Sequence, residues 1–154
     1  MVFIIFYMAE NNKSLKLENQ LCFALYVCSK EIIRNMKPFL EDLGLTYTSY
    51  ITLMALWEKD GIPVNELGSQ LYLDSGTLTP LLKKMEKDGF IIRKRSEQDE
   101  RTVIISLTEK GRSVKISCAD IRSKMSGKTT ITHEDVEEIL PKLHGLISCL
   151  TNNK

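Results

Sequence analysis

The apolar positions in the first part of the chain recur at helical spacing. When successive residues are placed about 100° apart around a helix axis, a set of them falls within one stripe. The stripe consists of Leu17, Leu21, Leu25, Cys28 and Ile32. The pattern predicts a first helix that Ser14 caps, that runs to about Met36, and whose end is disturbed by Pro38.

The segment LTYTSYITLMALWEKDG predicts a second helix. Thr46 is placed to cap its first turn, and Gly61 lies close to its expected end. We expect part of its apolar surface to point into the core, with the tryptophan as an anchor. The side chains expected to face inward are Ile51, Met54, Ala55 and Trp57.

Two short helices joined by a tight turn are predicted next, from PVNELGSQLYLDSGTLTPLLKKMEKDG. The turn falls at about 72–74, Ser75 is placed to cap the second of these helices, and Gly89 is placed to end it. Apolar positions at helical spacing should form the buried face of that second helix. They are Leu78, Leu81, Leu82 and Met85.

After Gly89 the hydrophobic pattern changes its period. FIIRK and TVIISL are β-branched runs separated by the polar RSEQDER, and together they predict a two-stranded hairpin with a long tip. Thr108 then starts a long helix, and Thr132 with Asp135 makes a capping-box-like start for the last one. The predicted fold is therefore mainly α with a small β-hairpin: a winged helix-turn-helix with additional helices at both ends.

Composition limits the class of protein. The chain has 154 residues, of which 43% are hydrophobic and 27% charged, as expected of one soluble globular domain. Its formal net charge is +1, so any affinity for nucleic acid must come from locally concentrated positive charge. The N-terminal MVFIIFYM is far shorter than the roughly 20 apolar residues that span a bilayer, and we expect no membrane association.

The cysteines Cys22, Cys28, Cys118 and Cys149 form no C-x-x-C pair and have no histidine at zinc-site spacing. This pattern disfavours a structural zinc site and a disulfide framework, and it favours the reducing cytoplasm, with no cofactor expected. Cys28 lies near the centre of the apolar stripe, so core packing explains it. Cys22 lies off the stripe, on a face with Tyr26. It could be a small core residue or a thiolate held by hydroxyl donors.

The helix-turn-helix and the hairpin carry side chains suited to DNA. In a winged helix the second helix enters the major groove, and the hairpin tip reaches the neighbouring minor groove or backbone. Short hydroxyl side chains at the start of that helix can contact phosphates or base edges, and basic residues follow them. The predicted DNA-contacting residues are Ser75, Thr77, Thr79, Lys83, Lys84, Arg93 and Arg101.

Three segments carry a likeness to known proteins: LENQLCFALY, LTYTSYITLMALWE and LGSQLYLDSGTLTPLLKKMEKDGFIIRKRSEQDERTVIISLTEKG. Together they resemble the MarR family, specifically its organic-hydroperoxide-sensing repressors, the OhrR group. The D-x-R at 99–101 and the LTxxG that follows mark the family generally, and this motif adds Asp99 to the predicted DNA-binding residues. NQLCF and LYLDSGTLTPLLK are the parts that resemble the OhrR group in particular.

The resemblance implies a homodimeric repressor whose first and last helices interlock with those of its partner and whose two winged helices read a palindromic operator in double-stranded DNA. It also implies that Cys22 is the sensor of organic hydroperoxides, hydrogen-bonded by Tyr26 and Tyr47. A further tyrosine of the group corresponds to Met36, which has no hydroxyl. Oxidation of Cys22 to a sulfenic acid and then to a disulfide would release the DNA.

No linker divides the chain, so we expect residues 1–14 to be an extension or disordered and 15–154 to form a single domain, which the resemblance makes MarR-type. Within that domain, about 15–45 and 108–150 are dimerisation helices, and about 46–107 form the DNA-binding winged helix.

Three questions stay open from the sequence. Oxidised Cys22 could be resolved by Cys118, by Cys149 or by a low-molecular-weight thiol, with Cys118 the better placed of the two cysteines. A repressor of the same fold could instead be released by a small phenolic ligand, with Cys22 inert. A thiol peroxidase is the third alternative, but it needs an acid or guanidinium beside the thiol, and Arg34 lies about three turns away.

Overall fold

The computed structural model describes residues 16–126 and 132–151, with side chains described up to residue 121 in the first range. The predicted cap Ser14 and the extension 1–14 lie outside the described residues. A single 3₁₀ turn, Leu17–Asn19, comes first. The helices are α1 Leu21–Glu41, α2 Tyr47–Glu58, α3 Val64–Leu71, α4 Ser75–Lys87, α5 Glu109–Ser126 and α6 His133–Thr151, and the strands are β1 Ile62–Pro63, β2 Ile91–Arg95 and β3 Val103–Leu107.

The first helix runs through its proline. The prediction that α1 ends at about Met36 is wrong, because the helix includes Pro38 and continues to Glu41. Proline removes a single backbone donor, and the buried Leu40 holds the following turn against the core. The helix then ends in a Schellman motif: Gly44 has φ 72° and its N–H donates to the carbonyl of Glu41, while the next residue donates to that of Leu40.

The apolar stripe of α1 is not part of the core of the single chain. Leu17, Leu21 and Ile32 are each at least half exposed, and Cys28 is exposed as well. The prediction that Cys28 fills the core is therefore wrong for the isolated chain. Helical periodicity identified which side chains share a face, but it carries no information on what covers that face.

The second helix begins as predicted and buries a different face. The Thr46 side chain accepts a hydrogen bond from the Ser49 backbone N–H at 3.2 Å, which confirms the cap, and the helix ends at Glu58 rather than near Gly61. Leu53 and Leu56 form its buried face. The prediction of the inward residues is wrong for Met54, which is exposed, and Ile51 and Ala55 are only half-buried. Because α2 is apolar on nearly all sides, its pattern does not select one face.

Trp57 is an anchor, but by hydrogen bonding as much as by burial. Its side chain is half-buried, and its indole N–H donates to the carbonyl of Gly111 at 2.8 Å. Gly111 lies in the first turn of α5, which Thr108 caps through its hydroxyl oxygen at 3.0 Å from the Gly111 N–H. The predicted start of the long helix at Thr108 is confirmed, and the tryptophan ties that start to α2.

The helix-turn-helix is confirmed, with one change at the cap. Tyr72 occupies the turn in a left-handed conformation, with φ 54°, between α3 and α4. The N-cap of α4 is Asp74, whose carboxylate accepts from the Thr77 N–H at 3.0 Å, so the prediction of a Ser75 cap is wrong by one residue. The predicted inner face is buried at its central positions, with Leu81 half-buried, and Gly89, at φ 79°, ends the helix.

The wing is a sheet of three strands. β2 and β3 pair antiparallel as predicted, with Ile91 opposite Leu107 and Arg95 opposite Val103. β1 adds a strand of two residues on the other side of β3, giving the order β1-β3-β2. The sequence analysis missed β1, since two residues that include a proline give no alternating pattern.

The chain divides into two compact units, 1–118 and 119–154. In the first unit, the core lies where α2, α3, α4 and the sheet meet. The second unit contains α6, which opens with the predicted capping box: the Thr132 N–H donates to Asp135, and the Asp135 N–H donates to the Thr132 hydroxyl oxygen. None of the described side chains of α6 is buried in the single chain.

Among the described helices, none combines the length and apolarity needed to cross a bilayer.

Candidate nucleic-acid interface and redox centre

The start of α4 presents hydroxyl groups to solvent. Ser75, Thr77 and Thr79 are all exposed. The Thr77 hydroxyl donates to Asp74 at 2.9 Å, so it keeps only acceptor capacity. Hydrogen bonds from this hydroxyl and from the Thr77 N–H lower the pKa of Asp74, which keeps the capping carboxylate charged. Because Asp74 caps the helix, the Ser75 hydroxyl is not used for that purpose.

The two lysines predicted for α4 differ in their surroundings. Lys84 Nζ lies 2.6 Å from the Asp88 carboxylate, so an i,i+4 ion pair on the same helix satisfies its charge. Lys83 is exposed and has no ion pair within the described residues. Lys83 is therefore the lysine better able to meet an external anion.

Arg93 is the most enclosed of the predicted basic residues. Its side chain is 24% exposed, and its Nη1 lies 3.6 Å from Glu86 Oε2 on α4. The Arg93 backbone N–H also donates to Glu86 at 3.3 Å, so Glu86 links α4, the second helix of the helix-turn-helix and hereafter the recognition helix, to β2. The sequence analysis missed Glu86, although its position seven residues before an arginine of the next strand is a usable signal.

The wing tip is organised by Asp99. Its carboxylate accepts from the backbone N–H of Arg101 at 3.0 Å and from the hydroxyl of Thr102 at 2.8 Å, and these bonds lower its pKa. The Thr102 N–H in turn donates to the Asp99 carbonyl, and the Ser96 N–H donates to the Thr102 carbonyl. The side chain of Arg101 is exposed and has no ion pair in the part of the chain that the structure describes.

Three of the predicted residues lie around one cavity. Thr79 from α4, Arg93 from β2 and Arg101 from the wing tip line a space of about 340 Å³ that also touches the start of α3. Ser75, Lys83 and the remaining predicted residues do not line it. The residues named from the sequence thus form a polar face on α4 and a separate cationic recess between α4 and the wing.

The predicted redox residues are close in sequence but are not joined by hydrogen bonds. Cys22 and Tyr26 are both exposed, one turn apart on α1, and Lys30 Nζ lies 5.9 Å from the centre of the Tyr26 ring. Tyr47 is half-buried at the first position of α2, with its ring centre 6.5 Å from that of Tyr50. Within 16–126 and 132–151, no hydrogen bond joins the Cys22 sulfur to either predicted tyrosine.

The other cysteines have different environments. Cys118 on α5 is 2% exposed, and burial raises the pKa of its thiol to about 11. Such a thiol is almost entirely protonated at neutral pH and is a slow nucleophile. Cys149 on α6 is exposed. Among the described residues there is no cluster of histidine, cysteine and carboxylate side chains able to hold a metal ion.

A capped recognition helix, an ordered cationic wing tip and a three-stranded sheet define a winged helix-turn-helix transcriptional regulator. Comparison with known proteins supports this class. The family of SarA/Rot transcriptional regulators matches residues 34–117. The organic hydroperoxide resistance transcriptional regulator of Bacillus subtilis (strain 168) is 48% identical over 136 residues, which are 88% of this chain and 92% of that protein.

Solved structures of similar proteins have the same fold as this chain. Reduced AbfR bound to DNA superposes with a TM-score of 0.78 at 31% identity, covering 92% of this chain and 96% of that one. AbfR with its disulfide formed gives a TM-score of 0.64 at 33% identity, covering 88% and 95%. AbfR comes from Staphylococcus epidermidis. The chain belongs to the MarR family of transcriptional regulators, in the group of the organic hydroperoxide resistance regulators. The resemblance found in the sequence is confirmed, and the thiol-enzyme alternative is not retained, because these relatives are regulators.

Proposed function

We propose that this protein is a cytoplasmic repressor that binds operator DNA as a homodimer and is released when an organic hydroperoxide oxidises Cys22. The observation that carries the DNA-binding part is the pairing of an exposed hydroxyl face on α4 with an arginine at an ordered wing tip. A major groove about 12 Å wide admits an α-helix, and a narrow minor groove attracts an arginine. Both elements belong to the same unit of the chain.

The proposed docking assigns a task to each exposed group. α4 enters the major groove with Ser75 and Thr79 near base edges and phosphates, and Lys83 meets the backbone. Arg101 enters the adjacent minor groove or contacts its phosphates. Asp99 contacts no DNA in this scheme, because its carboxylate is occupied in shaping the tip.

The dimer is supported by apolar side chains that a stable monomer would not leave in water. On α1 they are Leu17, Leu21 and Ile32, and on α6 they are Val136, Ile139, Leu140, Ile147 and Leu150. Apolar faces of this kind are typical of surfaces that a partner covers. They fall within the predicted dimerisation ranges, 15–45 and 108–150. A two-fold axis would place two recognition helices on the two halves of a palindrome.

The proposed chemistry starts at the Cys22 thiolate. The sulfur attacks the terminal oxygen of the hydroperoxide, the O–O bond breaks, and the alkoxide leaves and takes up a proton, which gives a sulfenic acid and an alcohol. A second thiol then attacks this sulfur, so that a disulfide forms and water leaves. On binding of the partner, the Tyr26 and Tyr47 hydroxyls would donate to the thiolate and favour it over the thiol.

The second thiol is better supplied from outside the chain than by Cys118. The burial of Cys118 and its raised pKa, about 11, disfavour the attack that resolution requires. We therefore favour a low-molecular-weight thiol, with the exposed Cys149 of the partner as the alternative. The disulfide-formed structure of AbfR supports a disulfide as an end state in a relative of this fold.

The route from sulfur to DNA runs through packed helices. α1 packs against α2, and α2 packs against α3, α4 and β3. Because Cys22 is exposed in the single chain, a mixed disulfide on it would act where the partner covers α1. A displacement of α1 at that contact would pass to this packed set and shift the spacing of the two recognition helices. Since operator half-sites have fixed spacing, a small shift lowers affinity at both of them.

A gel-shift titration tests the proposal. An organic hydroperoxide, with a low-molecular-weight thiol present, is titrated against the protein bound to its own promoter. We expect wild type to release the DNA and Cys22→Ser to remain bound at every dose. Cys28→Ser is the matched control, since it removes an exposed thiol from the same helix, and it should respond like wild type. If wild type and Cys22→Ser release the DNA equally, or neither releases it, Cys22 is not the switch.

A further inference from the structure

An arginine occupies a position on the inner face of the wing, where an apolar side chain is the usual choice. Side chains alternate between the two faces of a strand, so Arg93 shares a face of β2 with Ile91, which is buried. The residue opposite Arg93 on β3 is Ile105, which is buried as well. This placement directs Arg93 toward the interior of the winged helix and indicates that its partner belongs to the same chain.

A glutamate of the recognition helix meets this arginine with both of its carboxylate oxygens. Glu86 Oε1 accepts a hydrogen bond from the Arg93 backbone N–H at 3.3 Å, and Glu86 Oε2 lies 3.6 Å from Arg93 Nη1. Among the residues that the structure describes, no other hydrogen bond or ion pair joins α4 to the strands or the tip of the wing. Two contacts to one carboxylate add geometric specificity, because they restrict the rotation of β2 as well as its distance from α4.

Packing supports the base of the wing but leaves a gap toward its tip. At the base, Ile91 and Leu107 are buried. Closer to the tip, a cavity of about 340 Å³ lies between α4 and the wing. A hairpin that is fixed only at its base can tilt. Arg93 lies two residues beyond Ile91, roughly 7 Å along the strand, so its contact with Glu86 supplies the second fixed point that defines a direction.

We propose that Glu86 is a positioning residue for DNA binding: by holding Arg93 it fixes the direction of the wing relative to the recognition helix, and with it the place of Arg101. The inference rests on the proposed function, in which α4 and Arg101 occupy adjacent grooves of one duplex. The two grooves have a fixed separation, so a wing that is free to tilt carries Arg101 out of its groove. Arg93 itself contacts no DNA in this scheme.

The sign of the expected effect distinguishes positioning from simple electrostatics. Glu86→Gln removes a negative charge from the winged helix, and charge alone would strengthen its binding to DNA. The amide keeps an oxygen for the Arg93 N–H, so the variant mainly removes the ion pair. Positioning predicts the opposite sign: we expect the promoter duplex to bind about tenfold more weakly and the slope of log K against log salt to fall by about 1, as for a lost contact of Arg101.

A double-mutant cycle tests whether Glu86 acts through the tip. Binding isotherms of the full chain on its own promoter duplex, at several salt concentrations, compare wild type, Glu86→Gln, Arg101→Ala and the double variant. We expect Glu86→Gln to change the affinity by less than about twofold when Arg101 is absent. Partial unfolding cannot imitate this result, because a smaller active fraction leaves the slope unchanged and acts equally in both backgrounds. Glu109→Gln is the matched control, since Glu109 is an exposed glutamate of α5, and it should neither weaken binding nor change the slope.

A second measurement needs no DNA. Amide order parameters of the full chain are about 0.85 for rigid backbone and below about 0.6 for flexible backbone. In Glu86→Gln we expect the values for residues 96–102 to fall toward the flexible range, while those of α4 stay rigid. Glu109→Gln should match wild type throughout.

The two measurements distinguish failure of this inference from failure of the proposed function. A reduced slope that Glu86→Gln produces only when Arg101 is present supports the inference. If wild type binds its promoter through Arg101 and Glu86→Gln keeps the wild-type slope, or weakens binding equally in both backgrounds, the inference is wrong. If wild type binds no DNA, or Arg101→Ala leaves the slope unchanged, the tip contact of the proposed function fails. The order parameters then decide whether Glu86 fixes the wing: lowered values at 96–102 support it, and unchanged values overturn it.

Discussion

At the scale of single residues, a few side chains fix the ends of helices and join separate elements of the winged helix. Thr46, Thr108 and Thr132 cap helices as the sequence indicates, because a cap and its helix lie within a few residues of each other. Glu86 and Asp60 were missed, because their partners come from other elements. The same limit explains Cys28: a spacing rule gives its face on the helix, and only the folded chain shows that the face is exposed.

Asp60 joins three elements and should give the winged helix a pH-dependent stability. Partial burial raises the pKa of Asp60, and hydrogen bonds from the Leu107 N–H, the Arg112 side chain and the following backbone N–H lower it by more. A carboxylate with a lowered pKa stabilises the fold above its unfolded pKa, near 4, and this contribution disappears as the pH falls through the folded value.

We expect Asp60→Asn to lower the free energy of unfolding by about 1.5–2 kcal/mol at pH 7, the low end of the range for hydrogen bonds to charged groups, because the Asp60 side chain is partly exposed. The gap between wild type and the variant should shrink as the pH is lowered from 5 to 3. Urea denaturation at each pH measures both effects, and Asp42→Asn, at an exposed carboxylate, is the control. A gap that is independent of pH would contradict this account of Asp60.

Gly111 should not tolerate a side chain. A Cβ at this position would lie 2.1 Å from the Phe90 carbonyl oxygen, which belongs to backbone and cannot move away easily. We expect Gly111→Ala to destabilise the protein by about 2–4 kcal/mol, the range for severe overpacking. Gly145→Ala is the matched control, because no atom lies within 4 Å of its Cβ position and alanine favours a helix by about 1 kcal/mol. Thermal unfolding should therefore show opposite shifts for the two variants.

At the scale of elements, the type of each helix and strand was predictable where the periodicity is long. The hairpin, the helix-turn-helix and the two long helices of the second half were all found, because their apolar spacing changes clearly at glycines and threonines. The end of α1 was misplaced because proline was taken as a stop, although Gly44, three residues beyond the observed end at Glu41, supplies the actual signal. β1 was missed because its two residues gain strand geometry only by pairing with β3.

At the tip of the wing, the charge of Arg101 should contribute measurably to the salt dependence of operator binding. If Arg101 meets a phosphate or a narrow minor groove, Arg101→Ala should weaken operator binding and reduce the slope of log K against log salt by about 1. Lys115→Ala on α5 makes the same change of charge outside the predicted DNA-binding range and should leave the slope unaltered. Binding isotherms at four salt concentrations measure both slopes. An unchanged slope for Arg101→Ala would contradict a tip contact.

At the scale of the whole molecule, the exposed apolar side chains of α1 and α6 are the main feature that packing within one chain does not explain. The sequence resemblance supplied the dimer that would cover them. Composition alone could not, since 43% hydrophobic residues are equally typical of a monomer.

Disrupting the exposed apolar face of α6 should separate assembly from folding. Leu140→Glu places a charge among the exposed apolar residues of α6, and we expect light scattering to show a shift from dimer to monomer or to a more weakly associating protein. Ile92→Glu is the control, because Ile92 is an exposed apolar residue of the wing outside the dimerisation ranges. A Leu140→Glu protein that remains fully dimeric at low concentration would argue against α6 as a subunit contact.

The way Asp99 holds the wing tip has an evolutionary consequence. Its carboxylate binds the main-chain N–H of position 101 and leaves the guanidinium alone, so the loop keeps its shape whichever side chain stands there, proline excepted. If Arg101 meets operator DNA as proposed, substitutions at this one position would change that contact without rebuilding the loop. Descendants of such a regulator could drift to new promoters through exchanges at a single codon.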